Sequence, residues 1–421
     1  MNKILKLAKH PLISGSGIIF TSSLLANFIH YLFNLIMGRL LTPTEYGLIA
    51  SLISLTALLA VFQGSLTSIF AKFAAKFKAS KDEDSQSDLI KKGFNITLIF
   101  ASLILIFMLI FTSFFMQFLH VFNLPIILLT YLYIFFAVMS ALPMGIFQGE
   151  MRIFTYSFVT ILNALIKVTI GVLLVLLGLK VGGAMAGVFV AMFISYSISL
   201  YLIRKYIKAK SSSRVDEQRL LVRELKDYGS GFFLAALGIS LFSSADIILA
   251  RHFFPPVLAG QYAALSVMGK AIFYVIFPIN FIFFPLIAQK RERKENVTEV
   301  LLLAALIITV ISTCASFVYF LFPNLILQVF FPAAAYKILA PYLGPFSLYI
   351  LIFSIASLLN SYLLSIGKTQ IFRINILCGF LLVGLIFIFH QTMFQFIGVL
   401  FTSSLLLLLL LLIYYFRNGR D

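Results

Sequence analysis

The sequence predicts an all-α membrane protein: about twelve transmembrane helices, arranged as two six-helix bundles related by a parallel repeat and flanking a central cavity. Three observations carry that expectation. Of 421 residues, 61% are hydrophobic and 11% charged, against roughly half and a quarter in soluble domains. The apolar residues fall into twelve continuous runs. The basic residues gather on every second connection between those runs. A soluble enzyme, a secreted disulfide scaffold and a single-anchor protein are thereby excluded. A β-barrel is excluded too, because the apolar runs are continuous rather than alternating.

The runs span roughly 14–38, 46–70, 94–118, 124–148, 153–177, 182–203, 229–250, 262–287, 299–322, 341–365, 371–389 and 396–416. Helices of ~20 residues cross a ~30 Å hydrocarbon core, and twelve of them consume most of the chain. The first run follows Lys3, Lys6 and Lys9 without a small-residue cleavage site, so no cleavable leader is expected. Two polar connections stand out, about 71–93 and 204–228. The second, with Ser211, Ser212 and Ser213 followed by mixed charges, lies at the midpoint. It divides the chain into an N-terminal bundle (1–208), a linker (209–227) and a C-terminal bundle (228–421).

With a cytoplasmic N-terminus, 26 Lys and Arg fall on inside-facing stretches and four, Arg39, Lys180, Arg251 and Lys337, on the other side. That asymmetry is the positive-inside pattern, and it predicts both termini cytoplasmic. The net charge of +17 therefore reads as membrane orientation, and no nucleic-acid partner is expected. None of the external connections is long. The longest, about 323–340, holds Pro323 and Pro332 and is expected to lie in the membrane interface.

Each half carries six runs, so both halves start inside, as in a parallel repeat. Local echoes agree. Gly38-Arg39-Leu40-Leu41-Thr42-Pro43-Thr44-Glu45-Tyr46-Gly47 ends span one, and Ala250-Arg251-His252-Phe253-Phe254-Pro255 through Gly260 ends span seven. Arg precedes Pro by four residues in both. Gln148-Gly149-Glu150-Met151-Arg152 after span four echoes Ile366-Gly367-Lys368-Thr369-Gln370 after span ten. Such a repeat implies two bundles beside a central path, with alternating access by rocking.

The stretch Gly38 to Leu48 resembles the first external loop of polysaccharide-biosynthesis flippases of the Wzx type, within the superfamily of multidrug, oligosaccharidyl-lipid and polysaccharide exporters. Gly260-x-Tyr262, Phe284-Pro285-Leu286 and Ser365-Ile366-Gly367-Lys368 are similar to that family as well. The resemblance implies twelve helices, a V-shaped central cavity partly lined by spans one and seven, and transport of a lipid-linked oligosaccharide between leaflets.

Charge inside a span costs ~2.5–3.5 kcal/mol on insertion and points to function. Lys167 lies 14 residues into span five, and Lys270 about nine residues inside span eight. Fixed ammonium groups would offset desolvation of a substrate pyrophosphate, whereas a structural lysine would snorkel or bond a carbonyl. Asp246 is the one acid within a span, five residues before Arg251, and its counterpart before Arg39 is Asn34. Three roles compete for it: an ion pair with Lys270, a proton or sodium coupling site, and a contact to sugar hydroxyls. Arg39 and Arg251 either receive pyrophosphate at the outer mouth or bond loop carbonyls, Arg39 perhaps alongside Glu45.

Other signals are quieter. Pro143, Pro278 and Pro285 predict helix kinks. The segment 69–78, with Lys72 and Lys76 on one face, reads as an interfacial helix near anionic lipid headgroups. Cys314 and Cys378 read as buried thiols. His30 reads as a hydrogen-bonded interior histidine, and the five histidines have no metal-ligand spacing. No Walker A, G-x-S-x-G or Cys/His arrangement is present, so no cofactor is expected beyond a coupling ion.

The favoured function is a flippase for an undecaprenyl-pyrophosphate-linked oligosaccharide in a bacterial cytoplasmic membrane, serving O-antigen or another surface polysaccharide alongside other assembly proteins. The alternative is a cation-coupled multidrug exporter. A sugar polymerase or ligase would need a sizeable external loop, and a purely structural membrane protein would not need buried charge in both halves.

Overall fold

Apolar runs this long have one solution in hydrocarbon, a helix that satisfies its own backbone. The computed structural model describes residues 11–207, 233–292 and 298–418, and among them no strand occurs. Twelve long helices follow in order: α1 Pro11–Leu40, α2 Pro43–Ser80, α3 Glu83–Ile110, α4 Leu124–Gly149, α5 Ile153–Leu174, α6 Lys180–Ile207, α7 Phe233–Phe253, α8 Pro256–Glu292, α9 Thr298–Leu321, α10 Ala340–Ser365, α11 Phe372–Ile388 and α12 Met393–Asn418. They match the twelve predicted runs one for one. The linker 209–227 and the N-terminal lysines lie outside the described residues.

The helices form two compact units, Met1–Phe33 with Leu59–Ser230, and Asn34–Leu58 with Gly231–Asp421. Asn34–Leu58, the end of α1 and the start of α2, thus groups with the C-terminal helices. Surface and core follow the solvent. On α3, Ile99, Leu103, Ile106 and Ile110 are exposed at helical spacing, which suits a lipid-facing stripe. The core of the first unit holds Phe70, Phe73 and Phe77 with Leu142, Ile146 and Phe147.

That core corrects the reading of 69–78. The segment is the continuation of α2, a 38-residue helix that at 1.5 Å per residue reaches ~57 Å, well beyond the hydrocarbon core. Its phenylalanines pack inward while Lys72 and Lys76 are exposed. It is a core helix with a basic outer face, not a separate surface helix. Helix α8 stays helical through Pro278 and Pro285. One further expectation changes. Cys314 is exposed, whereas Cys378 is buried. At Pro143 the expected interruption is present: α4 breaks at Ser140, where the proline ring displaces the carbonyl one turn back.

The echoed turns explain each other in the second unit. Thr42 caps α2, with Pro43 at its first position and Glu45 reaching back to the Thr42 N–H at 3.0 Å and the Thr42 Oγ1 at 2.9 Å. This reciprocal capping box, with proline just inside the helix, is encoded in the motif itself. Gly47 then lies against Gly260: a Cβ on Gly47 would sit 2.7 Å from the Gly260 N, and one on Gly260 would run into the Pro43 carbonyl. The connection 323–340 folds as a short helix, Pro323–Phe330, and a 3₁₀ turn, Ala334–Leu339. Phe331 packs its ring at 5.6 Å from Tyr46.

Gly260→Ala is therefore expected to lower the melting temperature of the detergent-solubilised protein, by overpacking worth about 1–3 kcal/mol. Gly384→Ala, where a Cβ meets nothing within 4 Å, is expected to leave it unchanged.

Candidate functional site

In the first unit, helix faces that would otherwise be apolar turn polar together. On α5, Tyr156, Thr160 and Asn163 are spaced four and three apart, which places them on one face. On α2, Gln63 and Thr67 do the same, and α6 contributes the adjacent Ser195 and Tyr196. The break in α4 brings Ser140 to the same place, where its Oγ accepts from Gln63 Nε2 at 2.9 Å. These side chains enclose a cavity of about 420 Å³, completed by His30, Tyr133, Gln148 and Met192 among others. Its volume lies within the ~300–1,000 Å³ usual for ligand sites.

The lining is rich in hydrogen-bonding groups and holds no carboxylate. Several groups are unspent among the described residues. The Ser195 hydroxyl is 3% exposed and has no hydrogen-bond partner. The Asn163 amide has only the Met192 thioether, at 3.8 Å. Buried polar groups are normally satisfied by protein or water, and a water or a polar ligand in the cavity would satisfy these.

Lys167 continues the α5 stripe one turn past Asn163, ~6 Å along the axis. It is buried, its ammonium lies 4.6 Å from the centroid of the Phe33 ring, and it acts electrostatically on half-buried His30. Among the described residues no carboxylate pairs with it. The face of an aromatic ring attracts a cation but does not neutralise it.

Lys270 has the opposite environment. In the second unit its Nζ lies 2.9 and 3.0 Å from the two carboxylate oxygens of Asp246. Ser266 donates to the same carboxylate at 2.8 Å and Tyr262 at 3.2 Å. Tyr262, Ser266 and Lys270 recur every four residues, so one stripe of α8 faces one carboxylate on α7. Asp246 is fully buried and directly follows a π turn, Leu241–Ala245. Such a turn leaves a carbonyl unpaired within the helix, and Tyr349 donates to the Phe242 carbonyl at 2.7 Å. Neither the π turn nor Tyr349 was marked by the sequence.

The remaining expected residues are placed as follows. Arg39 is exposed and donates to the carbonyls of Phe330, at 3.1 Å, and of Val329, holding the end of the short helix Pro323–Phe330. Arg251 is 4% exposed in the last turn of α7. Asn34 is half-buried on α1. A further charged cluster closes the lysine-rich end of the first unit. There, Glu150, 2% exposed, pairs with Arg152 and accepts from Gln86, while Lys78 donates to its backbone carbonyl.

A family model described as polysaccharide biosynthesis protein matches residues 12–291. The chain belongs to that family. Comparison with curated proteins returned no significant match. Among solved structures, an inward-facing multidrug resistance MATE family transporter of the MOP superfamily aligns with a TM-score of 0.75 at 13% identity, covering 93% of both chains. An outward-facing MATE family transporter aligns with a TM-score of 0.61 at 17% identity, over 98% of this chain and 96% of that one. A MOP superfamily transporter from Pyrococcus furiosus, whose description attributes to it a binding pocket of reverse polarity, aligns with a TM-score of 0.62 at 14% identity, over 99% and 98%. At these identities the likeness is one of fold. The protein is thus a multi-pass helical membrane member of the polysaccharide biosynthesis family with a MATE-like fold.

Breaking the buried pair should cost more than removing it. Asp246→Ala leaves the Lys270 ammonium without its counter-charge and is expected to destabilise by about 3–5 kcal/mol, whereas Asp246→Leu with Lys270→Met recovers most of that loss. Thermal unfolding of the solubilised variants reads both.

Proposed function

We propose that this family member is a flippase, moving an undecaprenyl-pyrophosphate-linked oligosaccharide from the inner to the outer leaflet of a bacterial cytoplasmic membrane by alternating access. The observation that carries the reading is the chemistry of the cavity: amides, hydroxyls and an imidazole, with no carboxylate. Sugar hydroxyls are both donors and acceptors, and Asn, Gln, Ser and Thr match them in both capacities. Lys167 offers fixed positive charge at the end of the same face. The distribution of Lys and Arg supports cytoplasmic termini. With no nucleotide-binding motif in the chain, net transport would draw on a proton or sodium gradient.

Export of cationic drugs is the runner-up, favoured by the MATE names among the fold neighbours. It calls for an unneutralised acid beside the ligand. Asp246, the one acid in the interior of a predicted span, is tied to Lys270, Ser266 and Tyr262.

Deletion in the native host followed by lipid extraction tests the reading. Accumulated lipid-linked oligosaccharide with loss of surface glycan is expected. Normal surface glycan with new sensitivity to cationic dyes would transfer the protein to drug export.

A further inference from the structure

The two span lysines look alike in the sequence and differ in the fold. Lys270 is neutralised at 2.9 Å by Asp246, while Lys167 is 9% exposed and has a ring beneath it in place of a carboxylate. No acidic residue occurs in any of the six predicted spans of the N-terminal half. The acids of that half, Glu45, Asp82, Glu83, Asp84, Asp88 and Glu150, all lie at helix ends or in turns. A buried ammonium in hydrocarbon is costly unless an anion meets it, and the first unit supplies none within its spans.

Resting on the flippase reading above, we infer that the glycan this protein carries is acidic, bearing a sugar carboxylate that Lys167 holds while the neutral hydroxyls occupy the cavity. Charge count favours a carboxylate over the pyrophosphate as the partner of Lys167. A pyrophosphate diester brings two negative charges with several strong acceptors, and sites for it gather several cationic or backbone donors. Here one point charge stands one helical turn beyond Asn163, the last α5 residue of the cavity lining, and outside that lining. A uronic acid residue presents that combination, one negative charge on a ring of hydroxyls. Lys167 lies on the α5 face shared by Tyr156, Thr160 and Asn163, so a sugar bonded to the amide of Asn163 would place its neighbouring group toward the ammonium.

Calorimetric titration of the full-length, detergent-solubilised protein tests this with three probes: cellobiouronic acid, cellobiose and inorganic pyrophosphate. The acidic disaccharide is expected to bind about tenfold tighter than the neutral one, the difference made by one charge-assisted hydrogen bond. Lys167→Gln should remove the preference and keep binding of cellobiose. Lys167→Arg should keep the preference. Asn163→Asp, which sets a carboxylate one turn from the ammonium, should remove the preference without removing the lysine. Equal affinity for the two disaccharides overturns the acidic-glycan inference and leaves the glycan cavity standing. Pyrophosphate binding that depends on Lys167, without preference between the sugars, assigns the lysine to the lipid-linked phosphate instead and overturns it too. Binding of neither sugar, together with normal surface glycan in the deletion strain, removes the flippase reading itself.

Discussion

A polar group buried in hydrocarbon has no water to fall back on, so the protein must answer it or leave it for a ligand. In the second unit Asp246 is answered, while the hydroxyls of Ser312, Ser316, Ser403 and Ser404 have no partner among the described residues. Asp246 follows a π turn that interrupts the regular ladder of α7, and its carboxylate receives Lys270, Ser266 and Tyr262. The Phe242 carbonyl within the same turn receives Tyr349. Asn375 is answered through its Nδ2, which donates to the Ala235 carbonyl at 3.2 Å and to the Asn360 amide oxygen at 2.7 Å, while its Oδ1 has no partner among the described residues. At the cavity of the first unit, Ser195, Asn163 and Lys167 lack partners of matching strength, and on the flippase reading these are the groups a substrate would meet.

The turn between α1 and α2 obeys the same economy by backbone means. Thr42 and Glu45 close the orphan donors at the start of α2, Arg39 closes the carbonyls at the end of the short helix Pro323–Phe330, and glycine at positions 47 and 260 lets two polypeptide backbones meet without side chains between them. Small residues at such crossings are the means by which helices approach closely in membranes. The motif that carries the family resemblance is thus explained residue by residue as a structural joint of the second unit. Arg39 belongs to that joint, which favours its carbonyl-bonding role over a role at the outer mouth.

The helices, their number and the asymmetry of charge were legible because each depends on local composition, and so was the break at Pro143. What the sequence could not resolve depends on which stripes meet. Lys167 and Lys270 sit at similar depth in similar runs; the sequence offered an Asp246–Lys270 pair as one of three roles for the acid, and the fold shows that pair formed. The cavity was missed for the same reason. Gln63, Ser140, Gln148, Asn163 and Ser195 are scattered over four helices, and each is unremarkable alone. One signal was available on α5, where Tyr156, Thr160, Asn163 and Lys167 keep helical spacing through an otherwise apolar run. The segment 69–78 misled because its lysines were weighted above its phenylalanines, whose spacing marks the buried face.

That α5 stripe also bears on why the open groups are not a defect of packing. A helix that needed only to fill the first unit could use leucine or alanine at all four positions and avoid the cost of each buried polar atom. Thr160 donates to the Tyr156 carbonyl at 2.8 Å, but the protein offers the buried lysine a ring and the half-buried asparagine a thioether. On the flippase reading, the bonds that would offset the cost form in only part of the working cycle. Interactions made with a substrate in one state and lost in the next are what let a ligand shift a conformational equilibrium. A transporter that satisfied these groups permanently would hold nothing for its cargo to complete.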